Sequence, residues 1–418
     1  MTQLLKISCV LLGISFSLRL HTPIAFGSCI LVSILIILFE KKKKVYEWIL
    51  KIKKTKLLFF FSLLFFSFSL SSLNSIEISR SFPVITYLFI YMFFSFIIYS
   101  FFKENYKALN ITKSFLIISI SFSSLLVSSY NLFEYLSYPN WIIDNQGSII
   151  PRDFFWPGEV RRFKGFSNLL VLLICLTPFF EKNLGSKKIF ISYLIVPLVI
   201  PIIYFGNVNS ATLGILSGLF LFFIYKILIF TKKPKQILVI VSLLFVLISS
   251  LILNTFVKQY ENNQITKIDF IIPTSIIDVH RQIIWGFSLS KFKEKPILGF
   301  GPDSSNFING SQNNIGHPST GNMNYIPSHP HNFLVELLLE TGLLGILTFS
   351  ILIIYVNYRI AKKFSGRNLS YLFFFNGYFW GSSLVNFSFW ASWWQGSYFL
   401  ILAIIFSIIH NEKKKNLG

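Results

Sequence analysis

Residues 57–70 read Leu-Leu-Phe-Phe-Phe-Ser-Leu-Leu-Phe-Phe-Ser-Phe-Ser-Leu, an apolar run that contains no charged residue. Crossing a bilayer as a helix takes about 20 mostly apolar residues, and runs of this kind recur along the chain, for example at 237–253. Neither run alternates apolar and polar residues, as a strand of a membrane β-barrel would. The pattern therefore predicts an all-α, polytopic integral membrane protein.

The composition agrees with this class of protein. Of the 418 residues 53% are hydrophobic and only 13% are charged, whereas soluble domains carry about 25% charged residues. Length and charge together predict about twelve transmembrane helices. Their residues are 3–20, 22–39, 57–74, 82–102, 114–130, 167–180, 189–206, 210–230, 237–255, 332–357, 369–387 and 397–410.

The basic residues, which give a formal charge of +21, predict the orientation of the chain. They cluster in alternate loops, which the positive-inside rule assigns to the cytoplasm, and both termini then lie in the cytoplasm. These loops are short and lack the motifs of nucleic-acid binding, so we expect lipid contacts and no nucleic-acid partner.

This orientation divides the chain into five segments. They are the N-terminal transmembrane helices 1–130, a first outer loop 131–167, the central transmembrane helices 168–255, a large outer loop 256–331, and the C-terminal helices and cytoplasmic tail 332–418. Both outer loops carry several cations on the side where cations are sparse, and a bound anion is the simplest explanation. Loops of this length are usually functional.

The first outer loop ends with Arg161, Arg162 and Lys164, shortly before a predicted helix that begins near Ser167 and Asn168. A helix N-terminus presents free N–H groups, and arginines beside it would complete a phosphate site. The alternative is that these side chains extend to the membrane interface. The two interpretations have equal weight from this loop alone.

The second outer loop contains a predicted amphipathic helix that ends at Lys295-Pro296. Its apolar face carries Ile276, Ile283, Ile284 and Phe287, and Arg281 lies off that face. Such a helix is typical of one lying on the outer membrane surface. Residues 299–302 predict a tight turn, and 303–328 predict an irregular lid.

The loop closes with His329, Pro330, His331 and Asn332, and Glu336 and Glu340 follow in the next predicted helix. The two glutamates are four residues apart and therefore share one helical face. Ionisable groups at the end of a membrane span are costly and usually functional. With no cysteine nearby, the histidines are a weak zinc signal, and we predict neither a metal nor a cofactor.

These motifs occur in the order 161–165, 281–285, 296–301, 331–332 and 340–345. The set resembles the O-antigen ligase and polymerase superfamily of bacterial envelope enzymes. The resemblance implies an inverting, metal-independent glycosyltransferase of the inner membrane. Its donor would be a glycan on undecaprenyl diphosphate, and its acceptor at the periplasmic face would be a lipid A core sugar or another glycan.

The resemblance implies that His331 and Arg281 are catalytic. An imidazole suits removal of the acceptor proton, and a guanidinium suits the diphosphate that leaves. The expected substrate-binding residues are Arg161, Arg162, Lys164, His329, Asn332 and Glu340. Many members carry an arginine in a Ser-Arg-Gly-like sequence opening a central span, but residues 209–214 here read Asn-Ser-Ala-Thr-Leu-Gly. The small residues Ser210, Gly214 and Gly218 predict close helix packing there instead.

Two alternatives stay open. A polymerase would use the same donor and extend the glycan rather than attach it to lipid A core. A transporter or flippase for a lipid-linked sugar would also need many spans, but its ionisable groups would lie deep in the membrane. Aromatic residues 390, 393, 394 and 398 predict either an interfacial aromatic belt or a surface for sugar stacking.

Overall fold

The structure is a computed structural model, and it describes residues 1–53, 56–137, 141–143, 149–151, 163–181, 194–230, 278–316, 323–363 and 367–415. Thirteen α-helices lie within these ranges. They are α1 Gln3–Leu18, α2 Pro23–Glu40, α3 Lys42–Lys53, α4 Lys56–Leu73, α5 Ile78–Glu104, α6 Tyr106–Ser137, α7 Lys164–Glu181, α8 Val199–Phe205, α9 Asn209–Phe230, α10 Val279–Phe292, α11 Phe333–Lys363, α12 Arg367–Ser383 and α13 Ser392–Lys415. The predicted all-α membrane fold is confirmed.

Short elements complete the described chain. Strands β1 Trp141–Ile143 and β2 Ile149–Pro151 form an antiparallel hairpin in the first predicted outer loop. Two 3-10 turns cover Val196–Leu198 and Ser305–Phe307. Helix α6 continues to Ser137, so that its last seven residues lie in the segment predicted to be the first outer loop. The lysine-rich stretch after α2 is also helical and forms α3.

Eight of the described helices are long and apolar enough to cross a membrane. They are α2, α4, α5, α6, α7, α9, α11 and α13. The predicted spans 3–20, 189–206 and 369–387 fall on shorter helices, and the span 237–255 lies outside the described residues. The count of about twelve spans therefore stays a prediction.

Helices α9 and α12 form the most extensive helix pair in the described part of the chain. Small residues bring their backbones together: a Cβ on Gly218 would lie 2.9 Å from the Phe374 ring, and one on Gly377 would lie 2.5 Å from the Ser217 carbonyl oxygen. This close approach confirms the small-residue packing predicted for α9. It also fixes the end of α9, where Ser210 lies.

Helix α10 forms as predicted, but it does not lie on a membrane surface. Its residues from Gln282 to Leu289 are all buried. A second apolar core surrounds it, to which Phe300, Ile326 and Leu339 contribute. The sequence pattern was misleading because the irregular segment after α10 covers the helix face that the pattern leaves to solvent.

Candidate functional site

Helix α11 is broken at Gly342, whose φ of 63° and ψ of −169° are not helical. The break frees backbone groups that a continuous helix would pair internally. The N–H groups of Leu343 and Leu344 donate instead to the carbonyl oxygens of Pro296 and Ile297, at 2.9 and 3.1 Å. The loop after α10 is thereby bonded into the helix.

The exchange is reciprocal. Phe300 and Gly301 donate to the carbonyl oxygens of Leu339 and Glu340, at 3.1 and 2.8 Å. We call this four-bond contact between residues 296–301 and 339–344 the Gly342 junction. The Pro-Ile-Leu-Gly-Phe-Gly motif at 296–301 and the Glu-Thr-Gly-Leu-Leu-Gly motif at 340–345 are thus the two sides of one backbone contact.

Glu340 is one of the residues of this junction, and its side chain is fully buried. One carboxylate oxygen accepts from the Ser305 N–H at 3.0 Å, and the other accepts from the Asp303 N–H at 2.8 Å and from the Trp390 indole N–H. Every bond goes to a protein donor. Glu340 therefore holds the loop 303–305 in place.

Glu336 lies one turn earlier on the same buried face and holds a different loop. Its two carboxylate oxygens accept from the Ser388 hydroxyl at 2.6 Å and from the Phe389 N–H at 2.5 Å. Both donors belong to residues 384–391, which connect α12 to α13 and which we call the α12–α13 turn. The shared face predicted for Glu336 and Glu340 is thus present, and it anchors two loops.

His329 and His331, the histidine pair, lie with their ring centroids 4.1 Å apart. Both rings approach the carbonyl oxygen of Asn386 in the α12–α13 turn, His329 through Nε2 at 2.9 Å and His331 through Nδ1 at 3.1 Å. A carbonyl oxygen only accepts, so both of these nitrogens carry a proton. His331 also has a φ of 55°, a strained conformation that is concentrated at functional sites.

The remaining nitrogen of His331, Nε2, is therefore the one with a lone pair, and it has no hydrogen-bond partner among the described residues. Burial and the neighbouring His329 lower the pKa of His331 to about 3. Burial also lowers the pKa of His329, whose Nδ1 lies 3.0 Å from the Ser328 hydroxyl. Both rings are neutral at physiological pH, and His331 presents a base.

Arg281 lies close enough to the histidine pair for its charge to lower the pKa of both rings. Asp278 holds it in position, accepting from the Arg281 N–H at 2.9 Å and pairing with the guanidinium Nη1. The guanidinium Nε is buried and has no hydrogen-bond partner among the residues that the structure describes. The Trp285 indole N–H donates to the Pro330 carbonyl at 3.0 Å and ties α10 to the histidine pair.

A network of polar side chains bonds the α12–α13 turn to helices α9 and α7. The Asn386 amide donates to the Ser210 hydroxyl at 3.2 Å, and Asn168 donates to the same oxygen at 2.8 Å. Tyr378 in turn donates to the Asn168 carbonyl at 2.9 Å. Ser210, where the sequence lacks the expected arginine, thus bonds the side chain of the residue whose carbonyl oxygen binds both histidines.

The other predicted binding residues have different positions. Asn332 accepts from the N–H groups of Leu334 at 3.0 Å and Val335 at 3.3 Å and so caps α11. Lys164 begins α7, one helical turn before Asn168 and therefore on the same face. Arg161 and Arg162 lie outside the described residues.

Arg19 is a cation of this region that sequence reasoning missed. It caps the C-terminus of α1, and its guanidinium carbon lies 4.2 Å from the centroid of the Trp393 ring. Its Nε is buried and meets no hydrogen-bond partner in the described part of the chain. Trp393 also contacts Gly165 and Phe387, next to Lys164 and Asn386. The sequence does contain a sign of this residue: Arg19 is a charged residue at the very end of the predicted span 3–20.

Of the four aromatic residues singled out in the sequence, at 390, 393, 394 and 398, three are structural. Trp390, Trp394 and Tyr398 are buried. Their polar atoms bond to Glu340, Ser383 and Asn376, and so they are neither an interfacial belt nor a surface for sugar stacking. In the described part of the chain, no group of three or more His, Cys, Asp and Glu side chains could hold a metal ion.

Residues 194–350 match the family model described as O-Antigen ligase, and this range contains α8 to α10, the Gly342 junction and the histidine pair. Proteins named "Putative polysaccharide ligase" are similar to the chain. The one from Rickettsia conorii is 28% identical over 185 residues, 43% of each chain. The one from Rickettsia typhi is 29% identical over 231 residues, 53% of this chain and 52% of its own.

A third relative of the same name, from Rickettsia felis, is 27% identical over 216 residues, 50% of this chain and 49% of its own. The chain thus spans about half the length of the curated relatives it matches. No solved structure matches it. Residues 194–350 are thus similar to the O-antigen ligase family, and eight described helices of the chain have the length and composition of membrane spans.

Proposed function

We propose that the chain is an O-antigen ligase-like glycosyltransferase. It moves a glycan from undecaprenyl diphosphate to a hydroxyl of a lipid A core sugar, at the periplasmic face of the bacterial inner membrane. The observation that carries this proposal is the unprotonated Nε2 of His331, without a protein partner among the described residues and beside the Arg281 guanidinium.

The proposed reaction is a single inverting displacement. The acceptor hydroxyl gives its proton to His331 Nε2 as its oxygen attacks the anomeric carbon, and the bond from that carbon to the diphosphate oxygen breaks. The lowered pKa of His331 makes it a weak base in the empty site. A diphosphate bound nearby favours the imidazolium, because an opposite charge stabilises the protonated ring.

The diphosphate carries negative charge that grows as the sugar leaves, and cations stabilise it. Arg281 is the first such group, because its Nε has no partner among the described residues. Arg161, Arg162 and Lys164 precede or begin α7, whose N-terminus adds a positive dipole end. With no arginine at residues 209–214, Arg161 or Arg162 could take its place, and Arg19 is a further candidate, since its buried Nε also has no partner among the described residues.

Of the other expected binding residues, His329 is bonded at both ring nitrogens, Asn332 caps α11, and Glu340 bonds protein donors. Their bonds support a role in shaping the site. They act on the substrate through His331 and the surrounding loops.

A polymerase is the second candidate, because it shares the donor and needs the same base and cations. The acceptor distinguishes the two: lipid A core for a ligase, a growing glycan for a polymerase. The transporter hypothesis loses support from this geometry, since a carrier does not require an unpaired base beside an arginine.

The experiment is complementation of a bacterial strain whose surface-polysaccharide ligase is deleted, with glycan attached to lipid A core as the readout. Wild type should restore attachment. His331→Ala should reduce it by roughly 10²-fold or more, the usual contribution of a general base. Arg281→Lys, which keeps the charge but loses the planar donor geometry, should reduce it by about 10-fold or more.

Lys291→Ala is the matched control at matched membrane levels. Lys291 is a second cation of α10, it pairs with Glu294 at 2.7 Å, and it lies at the far end of the helix from Arg281. Attachment should be unchanged in this variant. Longer lipid-linked chains without attachment would identify a polymerase, and full activity of His331→Ala would remove His331 from the mechanism.

A further inference from the structure

We infer that Glu336 is a positioning residue that sets the tautomer of His331 through the α12–α13 turn. The inference rests on the proposed function for its catalytic meaning, since it concerns the base of that reaction. Glu336 touches neither histidine; it acts on the turn whose main-chain oxygen both histidines bind.

The first step is the choice of nitrogen. A neutral imidazole carries one proton, and the partner of one nitrogen decides which nitrogen keeps the lone pair. The Asn386 carbonyl oxygen accepts from His331 Nδ1 at 3.1 Å, so that Nε2 is the base. A shift of this oxygen out of reach would allow the proton to move to Nε2, and His331 could then no longer accept a proton there.

The second step is what holds the Asn386 oxygen. The Asn386 side chain bonds Ser210 at 3.2 Å. Two and three residues further on, Ser388 and Phe389 bond the buried Glu336 carboxylate at 2.6 and 2.5 Å. The turn is thus fixed on both sides of the carbonyl, and the shorter bonds are those to Glu336.

The third step is why the two oxygens of Glu336 are needed. The Phe389 N–H is a main-chain donor that cannot reverse its role, whereas the Ser388 hydroxyl can donate or accept, so that a glutamine at position 336 still has a group for each partner. A leucine at position 336 has no acceptor. It therefore releases both Ser388 and Phe389 and leaves a buried N–H unsatisfied.

Glu340 provides the internal comparison. It is equally buried, on the same helix face and also bonded to main-chain N–H groups, but those belong to Asp303 and Ser305. Glu340 also accepts from the Trp390 indole N–H, a side chain four residues after Asn386. Glu336 has the positioning role because its bonds reach the turn nearer to the Asn386 carbonyl, at Ser388 and at the Phe389 main chain.

The test reads the tautomer directly and needs no substrate. The full-length chain is labelled with ¹⁵N-histidine in lipid nanodiscs, and the signals of His331 and His329 are assigned by single His→Gln variants. Wild type should show a neutral His331 with the proton on Nδ1. Glu336→Leu and Ser388→Ala should each shift the His331 nitrogens toward a mixture of tautomers, and Ser388→Thr, which restores the hydroxyl, should return them.

Glu340→Gln should leave the His331 nitrogen shifts as in wild type, even if its activity falls. In the complementation assay, Glu336→Leu should reduce attachment by roughly 10- to 10²-fold, as expected for a misplaced catalytic group. Unchanged His331 shifts in both Glu336→Leu and Ser388→Ala, in folded protein, would overturn the inference. Shifts that follow Glu336 in a protein with no transferase activity would uphold it and reject the proposed function.

Discussion

At the scale of single residues, the site depends on how His331 is kept neutral. His331 is surrounded by His329 at 4.1 Å between ring centroids, by Arg281 and by His280, and each of these lowers its pKa when charged. Burial makes the largest contribution, and the bond to the Asn386 oxygen opposes it only in part. His331 is therefore unprotonated at Nε2 over the whole physiological pH range.

The pH dependence of stability follows from this pKa. An unfolded histidine takes up a proton near pH 6.5, whereas folded His331 does so near 3. The stability that neutral His331 contributes is complete above about pH 6.5 and is lost as the pH falls toward 3. His331→Gln should therefore lose less thermal stability than wild type between pH 7 and 4.5.

The measurement is the midpoint of thermal unfolding in detergent, followed by intrinsic tryptophan fluorescence. His21→Gln is the control, because His21 is exposed and lies outside the site. It should retain the wild-type pH dependence. Parallel curves for wild type and His331→Gln would show that His331 is not kept neutral by the fold.

At the scale of elements, the Gly342 junction decides how α10 and α11 are joined. A Cβ on Gly342 would lie 2.3 Å from the Ile297 oxygen, and one on Gly299 would lie 2.4 Å from the Glu340 oxygen. Both glycines also have positive φ, of 63° and 68°. The junction therefore admits no side chain at either position, and it holds Glu340 and the loop 303–305 in register.

Gly342→Ala tests this. The strained φ alone costs about 1–3 kcal/mol, and the steric overlap adds to it, so the unfolding midpoint should fall and little folded protein should accumulate. Gly27→Ala is the matched control, because Gly27 lies within helix α2 and a Cβ there meets nothing closer than 3.6 Å. It should leave stability equal or slightly raised. A stable Gly342→Ala protein would argue against the junction.

At the scale of the whole molecule, the helices place the site at one end of the bundle. The loop 303–316, the histidine pair and the α12–α13 turn lie together there, and the basic helix α3 follows α2 on the side that the charge distribution predicts to be cytoplasmic. A lipid-linked donor would reach such a site by moving within the membrane.

The topology can be measured with single cysteines at two exposed positions, Asn313 and Lys43. In cells with a permeabilised outer membrane, a membrane-impermeant maleimide should label Asn313→Cys. It should label Lys43→Cys only after the inner membrane is disrupted. The native cysteines are buried or partly buried, so unmodified protein supplies the background. The reverse pattern of labelling would invert the predicted orientation.

The sequence by itself determined the membrane class and the placement of the motifs. A charge-free run such as 57–70 can satisfy its backbone in a bilayer only as a helix, and this is a local property. The same holds for the helix of Arg281 and the helix opening after His331, because caps and periodicity are short-range. The motif order also indicated a resemblance to the family whose model matches residues 194–350.

The tertiary structure alone decided which groups meet. The Asn386 oxygen that selects the base lies 55 residues from His331 in sequence, and Ser210 lies 176 residues from Asn386. Arg19 lies within a predicted span, and the spacing of Glu336 and Glu340 does not show that their side chains bind different loops. Such pairings depend on how distant helices pack, and no local spacing encodes them.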